Sequence, residues 1–107
     1  MSYSTVKIIV HVPVDSVEIV LKAMGDAGAG KIGDYTHCSF SSQGYGRFLP
    51  LPGAQPTIGQ VGKLEKVAEE RIEMTCEKAL LADVVAAIKK VHPYEEPTYD
   101  VYERLDV

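Results

Sequence analysis

The segment His92-Pro-Tyr-Glu-Glu96 places an imidazole and two carboxylates within five residues. A transition metal can bind the imidazole together with Glu95 or Glu96, because nitrogen and oxygen ligands of this kind suit such ions. The alternative interpretation is a rigid connector, in which the histidine caps the preceding helix and the glutamates face water. These two interpretations leave the cofactor unknown, and a divalent metal ion is the candidate cofactor. The candidate metal ligands are His37, His92, Glu95 and Glu96, with His37 supplied by a neighbouring subunit.

The remaining histidines and cysteines match no familiar zinc or catalytic pattern. The sequence contains no C-x-x-C and no H-E-x-x-H. Cys38 follows His37 directly, and on a strand the two side chains would point to opposite faces. A small hydrolase-like enzyme that uses Cys38, or an acidic residue such as Glu69 or Glu73, is an alternative hypothesis. No nucleophile and base are placed within mutual reach, so we name no catalytic residue.

A glycine-rich stretch, Gly28-Ala-Gly30-Lys-Ile-Gly33, matches the G-x-G-x-x-G pattern of dinucleotide-binding loops. That function needs a strand before the glycines and a helix after them, so that the phosphates meet a helix N-terminus. Here the periodicity predicts a helix before the glycines and a strand after them. The stretch therefore indicates a helix-to-strand turn.

The composition limits the classes of protein that this chain can represent. Its 107 residues fit one domain, and its 46% hydrophobic and 24% charged residues are ordinary for a globular fold. The net charge of -4 disfavours binding to a phosphate backbone. No apolar run is long enough to span a membrane, and the start lacks a signal-peptide pattern. We expect one cytoplasmic domain, residues 1–107, with neither nucleic-acid nor membrane partners.

Periodicity predicts a strand and then a helix at the start of the chain. Every second residue from Val6 to Val12 is β-branched or aliphatic, which is typical of a strand with one buried face. Asp15 and Glu18 form a capping-box pattern for the helix that follows. Gly28 is a natural end for that helix, because glycine adopts the left-handed terminal conformation at little cost.

The second half of the chain repeats this order of strand and helix. Residues 68–76 alternate as a strand with one buried and one polar face, and Glu69 falls on the polar face. An apolar stripe over residues 81–88 predicts a second helix, which Pro93 ends. Residues 98–102 predict the final strand.

Between these halves lies an irregular region. Lys31 to Gln43 reads as a second extended region, interrupted by Gly33. From Gly44 to Gly62, glycine and proline are too dense for a regular helix, although residues 47–49 suit a short β segment. We expect an ordered arm or loop rather than a flexible linker, because it contains apolar anchors. These are Tyr45, Phe48, Leu49, Leu51 and Ile58.

The order of elements is strand, helix, one or two strands, strand, helix, strand. Two β-α-β units around one antiparallel sheet form the split, ferredoxin-like arrangement. The predicted fold class is therefore α+β, ferredoxin-like (βαββαβ), with two helices on one face of the sheet and a long Gly/Pro-rich arm.

Several motifs, in order, resemble one known module. They lie at Ala27–Ser42, Gly44–Pro50, Pro56–Glu65, Glu70–Glu73 and Val91–Tyr102. Over almost its whole length the chain resembles the inserted middle domain of the YqfO-like dinuclear-metal-centre hexamer family, also called the NGG-one interacting factor three family. It looks like a stand-alone version of that insert.

The resemblance implies a CutA/PII-like ferredoxin fold and a trimeric assembly. In the large family members this domain is thought to form a trimeric lid over a ring built by the flanking domains. The family's metal-binding histidines and acidic residues lie in those flanking domains. The resemblance therefore does not carry the dinuclear site, or the hydrolase or cyclohydrolase activity, over to this chain.

The leading hypothesis is a non-enzymatic, homotrimeric module that binds a small metabolite or a partner protein at its subunit clefts. A divalent-metal-binding protein that uses His92 with Glu95 or Glu96 is the second hypothesis. By analogy with CutA- and PII-like assemblies, a set of polar residues is expected to line the cleft. These are Tyr35, His37, Ser39, Arg47, His92, Tyr94 and Glu96.

Overall fold

The structure, a computed structural model, describes residues 3–107 as a four-stranded sheet and two α-helices. The strands are β1 (Thr5–Pro13), β2 (Phe40–Phe48), β3 (Glu65–Glu77) and β4 (Tyr99–Arg104), and the helices are α1 (Val17–Asp26) and α2 (Leu81–Val91). The strands pair antiparallel in the order β2-β3-β1-β4. This is the order of two interlocked β-α-β units, so the predicted ferredoxin-like α+β fold is confirmed.

The core lies between the two helices and one face of the sheet. Alternate residues of β1 and β3 point into it, as the period of two predicts, and each helix contributes a stripe at helical spacing. Its fully buried members include Val6, Ile8, Val10, Val12, Val20, Met24, Ile72, Met74, Val84 and Ile88. We call the other face of the sheet, which no helix covers, the open face. No helix within residues 3–107 is long and apolar enough to cross a membrane.

The start of α1 differs from the capping-box prediction, whereas its end agrees. Residues Val14–Ser16 form a 3-10 turn, Ser16 is the N-cap residue, and none of the described side chains caps the helix. The 3-10 turn moves the start of the helix past Asp15, so that carboxylate lies before the N-cap position. After α1, Gly28 has a φ of 110°, a left-handed conformation that glycine adopts readily.

The second strand begins later than predicted. Residues 31–39 form turns around an isolated bridge between Ile32 and Tyr35, and β2 runs from Phe40 to Phe48. The prediction of a strand over residues 31–43 was wrong in its first part because the chain must turn there. The amide of Gly30 donates to Thr75 O and that of Cys38 to Gly30 O, at 2.6 and 2.9 Å, which folds the segment back on itself.

β2 and β3 extend beyond the rest of the sheet as a two-stranded ribbon. The last pair of β1 is Pro13 with Glu69, so residues 65–68 of β3 pair only with residues 45–48 of β2. We call these eight residues the ribbon. The segment expected as an arm from Gly44 therefore begins as strand, because its backbone finds partners in β3. The projection fits the elongated extents of 46 × 24 × 22 Å.

The loop from residue 49 to residue 64 connects the two strands of the ribbon. The amide of Gly62 donates to Pro50 O at 2.8 Å, which closes the loop at its base, and that of Ala54 donates to Leu51 O. Pro50 is buried and Ile58 half-buried, whereas Leu49 and Leu51 are exposed. The loop therefore presents apolar side chains beside the ribbon.

Candidate functional site

A pocket of about 660 Å³ opens where the ribbon, loop 49–64 and the 92–98 segment meet. Because this segment leads from the end of α2 to the start of β4, it passes the end of β1 and lies beside the ribbon. We call the cavity the ribbon pocket. Its lining is His11, Tyr45, Gly46, Arg47, Phe48, Leu49, Pro50, Leu51, Ala54, Pro56, Thr57, Ile58, Glu69, Tyr94, Glu95, Glu96 and Thr98.

Glu69 and Tyr94 form a hydrogen-bonded pair in the wall of the ribbon pocket. Glu69 lies on the open face of β3 and is only 7% exposed. The Tyr94 hydroxyl donates to Glu69 Oε2 at 2.5 Å. Burial raises the pKa of Tyr94, and the hydrogen bond to the Glu69 carboxylate raises it further, because ionisation would place two anions in contact. Tyr94 therefore stays a hydrogen-bond donor at neutral pH.

Gly46 makes the room that the Glu69 carboxylate occupies. The two residues lie on neighbouring strands and on the same face of the sheet. A Cβ atom at position 46 would lie 2.2 Å from Glu69 Oε1, which is less than any ordinary contact distance. The glycine in β2 is thus required by a side chain of β3 rather than by its own backbone conformation.

His92 holds the backbone that carries Tyr94. The Tyr94 amide donates to His92 Nδ1 at 3.1 Å, so Nδ1 is an acceptor, and Nε2 then carries the proton that is donated to His11 O at 2.8 Å. His92 is 7% exposed and both of its ring nitrogens are engaged. The Phe48 ring packs edge-on against Tyr94, with ring centroids 5.6 Å apart. This arrangement fixes the phenol over Glu69.

The predicted metal ligands do not form a metal site within one chain. Across residues 3–107, no group of three histidine, cysteine, aspartate or glutamate side chains comes close enough to hold an ion. His92 uses both ring nitrogens inside the protein, and Glu95 Oε1 accepts from the Gln55 amide at 3.2 Å. A site that a second chain would complete stays a prediction.

The predicted ligand-binding set divides into two groups in this chain. Arg47, Tyr94 and Glu96 line the ribbon pocket, and His92 supports it from behind. The second group is Tyr35, His37 and Ser39. It lies in the turns after α1, which pack against the other end of β3. One cleft can contain both groups only if two chains contribute to it.

His37 is engaged at the end of α1. Its Nε2 lies 2.9 Å from Asp26 Oδ1, and its φ of 59° is left-handed. Hydrogen bonds from Lys22 and then from His37 lower the pKa of Asp26. Cys38 is half-buried and its sulfur lies 3.9 Å from Thr36 O, so within the described chain its nearest hydrogen-bond partner is a carbonyl rather than a base.

Sequence reasoning missed two parts of the ribbon pocket. It placed Glu69 on the polar face of a strand and named it only in the enzyme alternative. It treated the apolar residues of loop 49–64 as anchors rather than as walls of a cavity. One signal was present in Gly44-x-Gly46 within a strand, because glycine in a strand often marks a close approach by a neighbour.

The fold places the chain in a known structural class, and solved structures share this fold. The chain is a ferredoxin-like α+β domain of the CutA and GlnK type, with a pocket at the end of its sheet. CutA1 from Pyrococcus horikoshii matches 95% of this chain and 85% of its own, with a TM-score of 0.68 at 18% identity. The GlnK–ATP complex of B. subtilis matches 97% of this chain and 84% of its own, with a TM-score of 0.63 at 17% identity. These likenesses concern the fold alone.

The sequence comparisons are more specific. A "GTP cyclohydrolase 1 type 2 homolog" of Bacillus subtilis is 52% identical over 96 residues, and one of Mycobacterium bovis is 48% identical over the same length. A Bacillus cereus protein related to NIF3 matches 99% of this chain with a TM-score of 0.84 at 45% identity. The chain is therefore homologous to one domain of the NIF3-related proteins, and the predicted resemblance is confirmed.

The match covers only part of those relatives. It takes in 90% of this chain but 26% and 25% of the two curated relatives, and 27% of the Bacillus cereus chain. This chain thus spans about a quarter of the length of these three relatives. No protein-family model matches the chain.

Proposed function

We propose that this protein is a binding module and that a small ligand occupies the ribbon pocket. The observation that carries the proposal is the hydrogen bond between the buried Glu69 carboxylate and the half-buried Tyr94 hydroxyl, in the wall of a cavity with apolar sides. A volume of about 660 Å³ lies within the range of small-molecule sites, which combine mostly apolar walls with a few fixed polar groups. Here Phe48 and loop 49–64 supply the apolar walls.

The proposal does not include the cyclohydrolase activity in the relatives' name. The chain corresponds to about a quarter of those proteins, and a binding role needs only the groups that the ribbon pocket contains. A site for a nucleotide, by analogy with the GlnK–ATP complex, is disfavoured. Phosphate groups bind to cations and free amides, whereas the lining of this pocket contains three carboxylates, those of Glu69, Glu95 and Glu96, against one guanidinium, that of Arg47.

A screen of small fragments by ligand-observed NMR tests the proposal. The library contains cationic, neutral and anionic compounds, and the protein is tested as wild type and as Ala54→Phe, which fills the pocket at a half-buried position of its wall. Ala79→Phe is the matched control, because Ala79 is exposed and lies outside the pocket. Fragments that bind the wild type and the control but not Ala54→Phe support the proposal. If no fragment of any charge class binds in this pattern, the proposal fails.

We also propose that the module self-associates, as a homotrimer. β4 is an edge strand whose residues are nearly all exposed, and such an edge is a ready template for pairing with another chain. Exposed apolar side chains lie along and after it, namely Val101, Tyr102 and Leu105. Size-exclusion chromatography with light scattering tests this: a trimer at micromolar concentration is expected, and a monomer overturns it.

A further inference from the structure

The chemistry of the ribbon pocket points to the class of its ligand. Resting on the proposed function of that pocket, we propose that it selects a small cationic ligand with an apolar body, such as an amine attached to a ring. The cation would meet the carboxylates, and the apolar body would lie against the walls of the pocket.

The charged groups around the pocket are mostly acidic. Three carboxylates line it, those of Glu69, Glu95 and Glu96, and the basic groups are the Arg47 guanidinium and the His11 imidazole. In the described part of the chain, no ion pair joins Arg47 to any of the three. An approaching cation is therefore favoured over an anion of the same size.

The strand register directs Arg47 away from Glu69. Opposite residues of an antiparallel pair lie on the same face, and Arg47 is opposite Lys66. Lys66 lies over the Tyr45 ring, with its Nζ 4.3 Å from the centroid, on the same side of the ribbon. Phe48 and Gly46, in contrast, share the face of Glu69. The face of Glu69 therefore lacks the Arg47 guanidinium, and the His11 imidazole is the basic group of the lining on that face.

Glu69 has an unused acceptor within this acidic side. Its Oε2 accepts from the Tyr94 hydroxyl, whereas none of the hydrogen bonds of residues 3–107 reaches Oε1. The carboxylate lies against Gly46, in the space that a side chain at position 46 would otherwise fill, so no side chain of β2 covers Oε1 at this point. A buried carboxylate gains most from a charged donor, because that donor offsets the cost of removing the carboxylate from water. An ammonium group is such a donor.

The apolar part of the ligand follows from the remaining walls. Phe48 and Tyr94 form an edge-to-face aromatic pair, and Pro56 and Ile58 come from loop 49–64. These surfaces suit a ring or short aliphatic chain, and an aromatic wall also attracts a nearby cation. A bare metal ion or a polyamine without an apolar part would leave these walls in contact with water.

Three compounds that each contain a phenyl ring but differ in charge test this inference. They are 2-phenylethylamine, 2-phenylethanol and 3-phenylpropionate, titrated into the full chain and followed by protein NMR. The amine is expected to bind about tenfold more tightly than the alcohol, which corresponds to about 1.4 kcal/mol, and the carboxylate more weakly still. Glu69→Gln and Glu96→Gln are each expected to reduce this preference. Glu18→Gln, which changes the same charge at an exposed position of α1, is expected to leave it unchanged.

The outcomes separate the inference from the proposed function. If the alcohol or the carboxylate binds as tightly as the amine, and Ala54→Phe blocks that binding, the pocket binds ligands but the inference on charge is wrong. Amine binding that is unchanged in both Glu69→Gln and Glu96→Gln also overturns the inference. Absence of amine binding overturns it whatever the wider fragment screen finds. Glu96 is exposed, so its substitution keeps the test valid if Glu69→Gln fails to fold.

Discussion

The hydroxyl of Tyr94 donates a 2.5 Å hydrogen bond to the buried carboxylate of Glu69, across 25 residues of sequence. This bond joins the 92–98 segment to β3 at the point where the ribbon leaves the sheet. Because both residues line the ribbon pocket, the same contact that stabilises this end of the fold also shapes the candidate site. The first predictions concern this contact.

Replacing Tyr94 with phenylalanine removes the hydroxyl and keeps the ring. Glu69 would then be buried without its donor, so we expect the free energy of unfolding to fall by about 1 to 3 kcal/mol. Urea denaturation at neutral pH measures this loss. Tyr102→Phe is the control. Because Tyr102 is exposed on β4, this variant should lose little stability. Equal stability of the two variants would contradict a structural role for the Tyr94 hydroxyl.

The raised pKa of Tyr94 predicts a loss of stability at high pH. In the unfolded chain a tyrosine hydroxyl ionises at a pH of about 10. The folded protein still retains the Tyr94 proton at that pH. The unfolded state then binds fewer protons than the folded state, so the free energy of unfolding decreases as the pH rises above that value. The difference in the free energy of unfolding between wild type and Tyr94→Phe should therefore decrease as the pH rises from neutral to above about 10. A difference that stays constant over this range would exclude the linkage.

Gly46→Ala tests the space beside the Glu69 carboxylate. Because the new Cβ would lie 2.2 Å from Oε1, Glu69 must move, and it is held by Tyr94. We expect the free energy of unfolding to fall by about 1 to 3 kcal/mol in chemical denaturation, which is typical of overpacking against a buried side chain. Gly44→Ala is a matched control in the same strand, where a Cβ meets nothing within 4 Å. The cost of Gly46→Ala should also diminish in a Glu69→Ala background; if it persists there, the carboxylate is not its cause.

Some parts of the fold could be predicted from the sequence, whereas others depend on contacts between distant residues. The buried face of β1 was predicted because each side chain carries the signal at its own position, with a period of two. The start of β2 was not, because residues 41–44 are small or polar and its register is set by β3. Glu69 reads locally as a polar strand residue, and only the distant Tyr94 and Gly46 make it a buried one. Non-local contacts of this kind leave no periodic pattern.

His92 is expected to act as a positioning residue for Tyr94. His92→Leu keeps the apolar bulk but leaves the Tyr94 amide and His11 O without their partners. Two half-buried backbone groups would then be unsatisfied, at a cost of about 1 to 3 kcal/mol each. Hydrogen exchange of the Tyr94 amide should accelerate well beyond the change expected from global stability alone. Unchanged protection of that amide would show that the imidazole does not hold the segment.

The last prediction concerns the hydrogen bond that links two walls of the ribbon pocket. Glu95 Oε1 accepts from the Gln55 amide, which links the 92–98 segment to loop 49–64. Because the bond is exposed and 3.2 Å long, Glu95→Ala should change global stability by less than about 0.5 kcal/mol. Loop 49–64 should nevertheless exchange its amide hydrogens faster, and the pocket should bind 2-phenylethylamine more weakly. Glu96→Ala removes the same charge from the same pocket without this tie, so it should weaken amine binding but leave exchange in the loop unchanged. Equal loop exchange in the two variants would mean that the Glu95 contact does not order the wall, and that the loop is held by its own closure between Gly62 and Pro50.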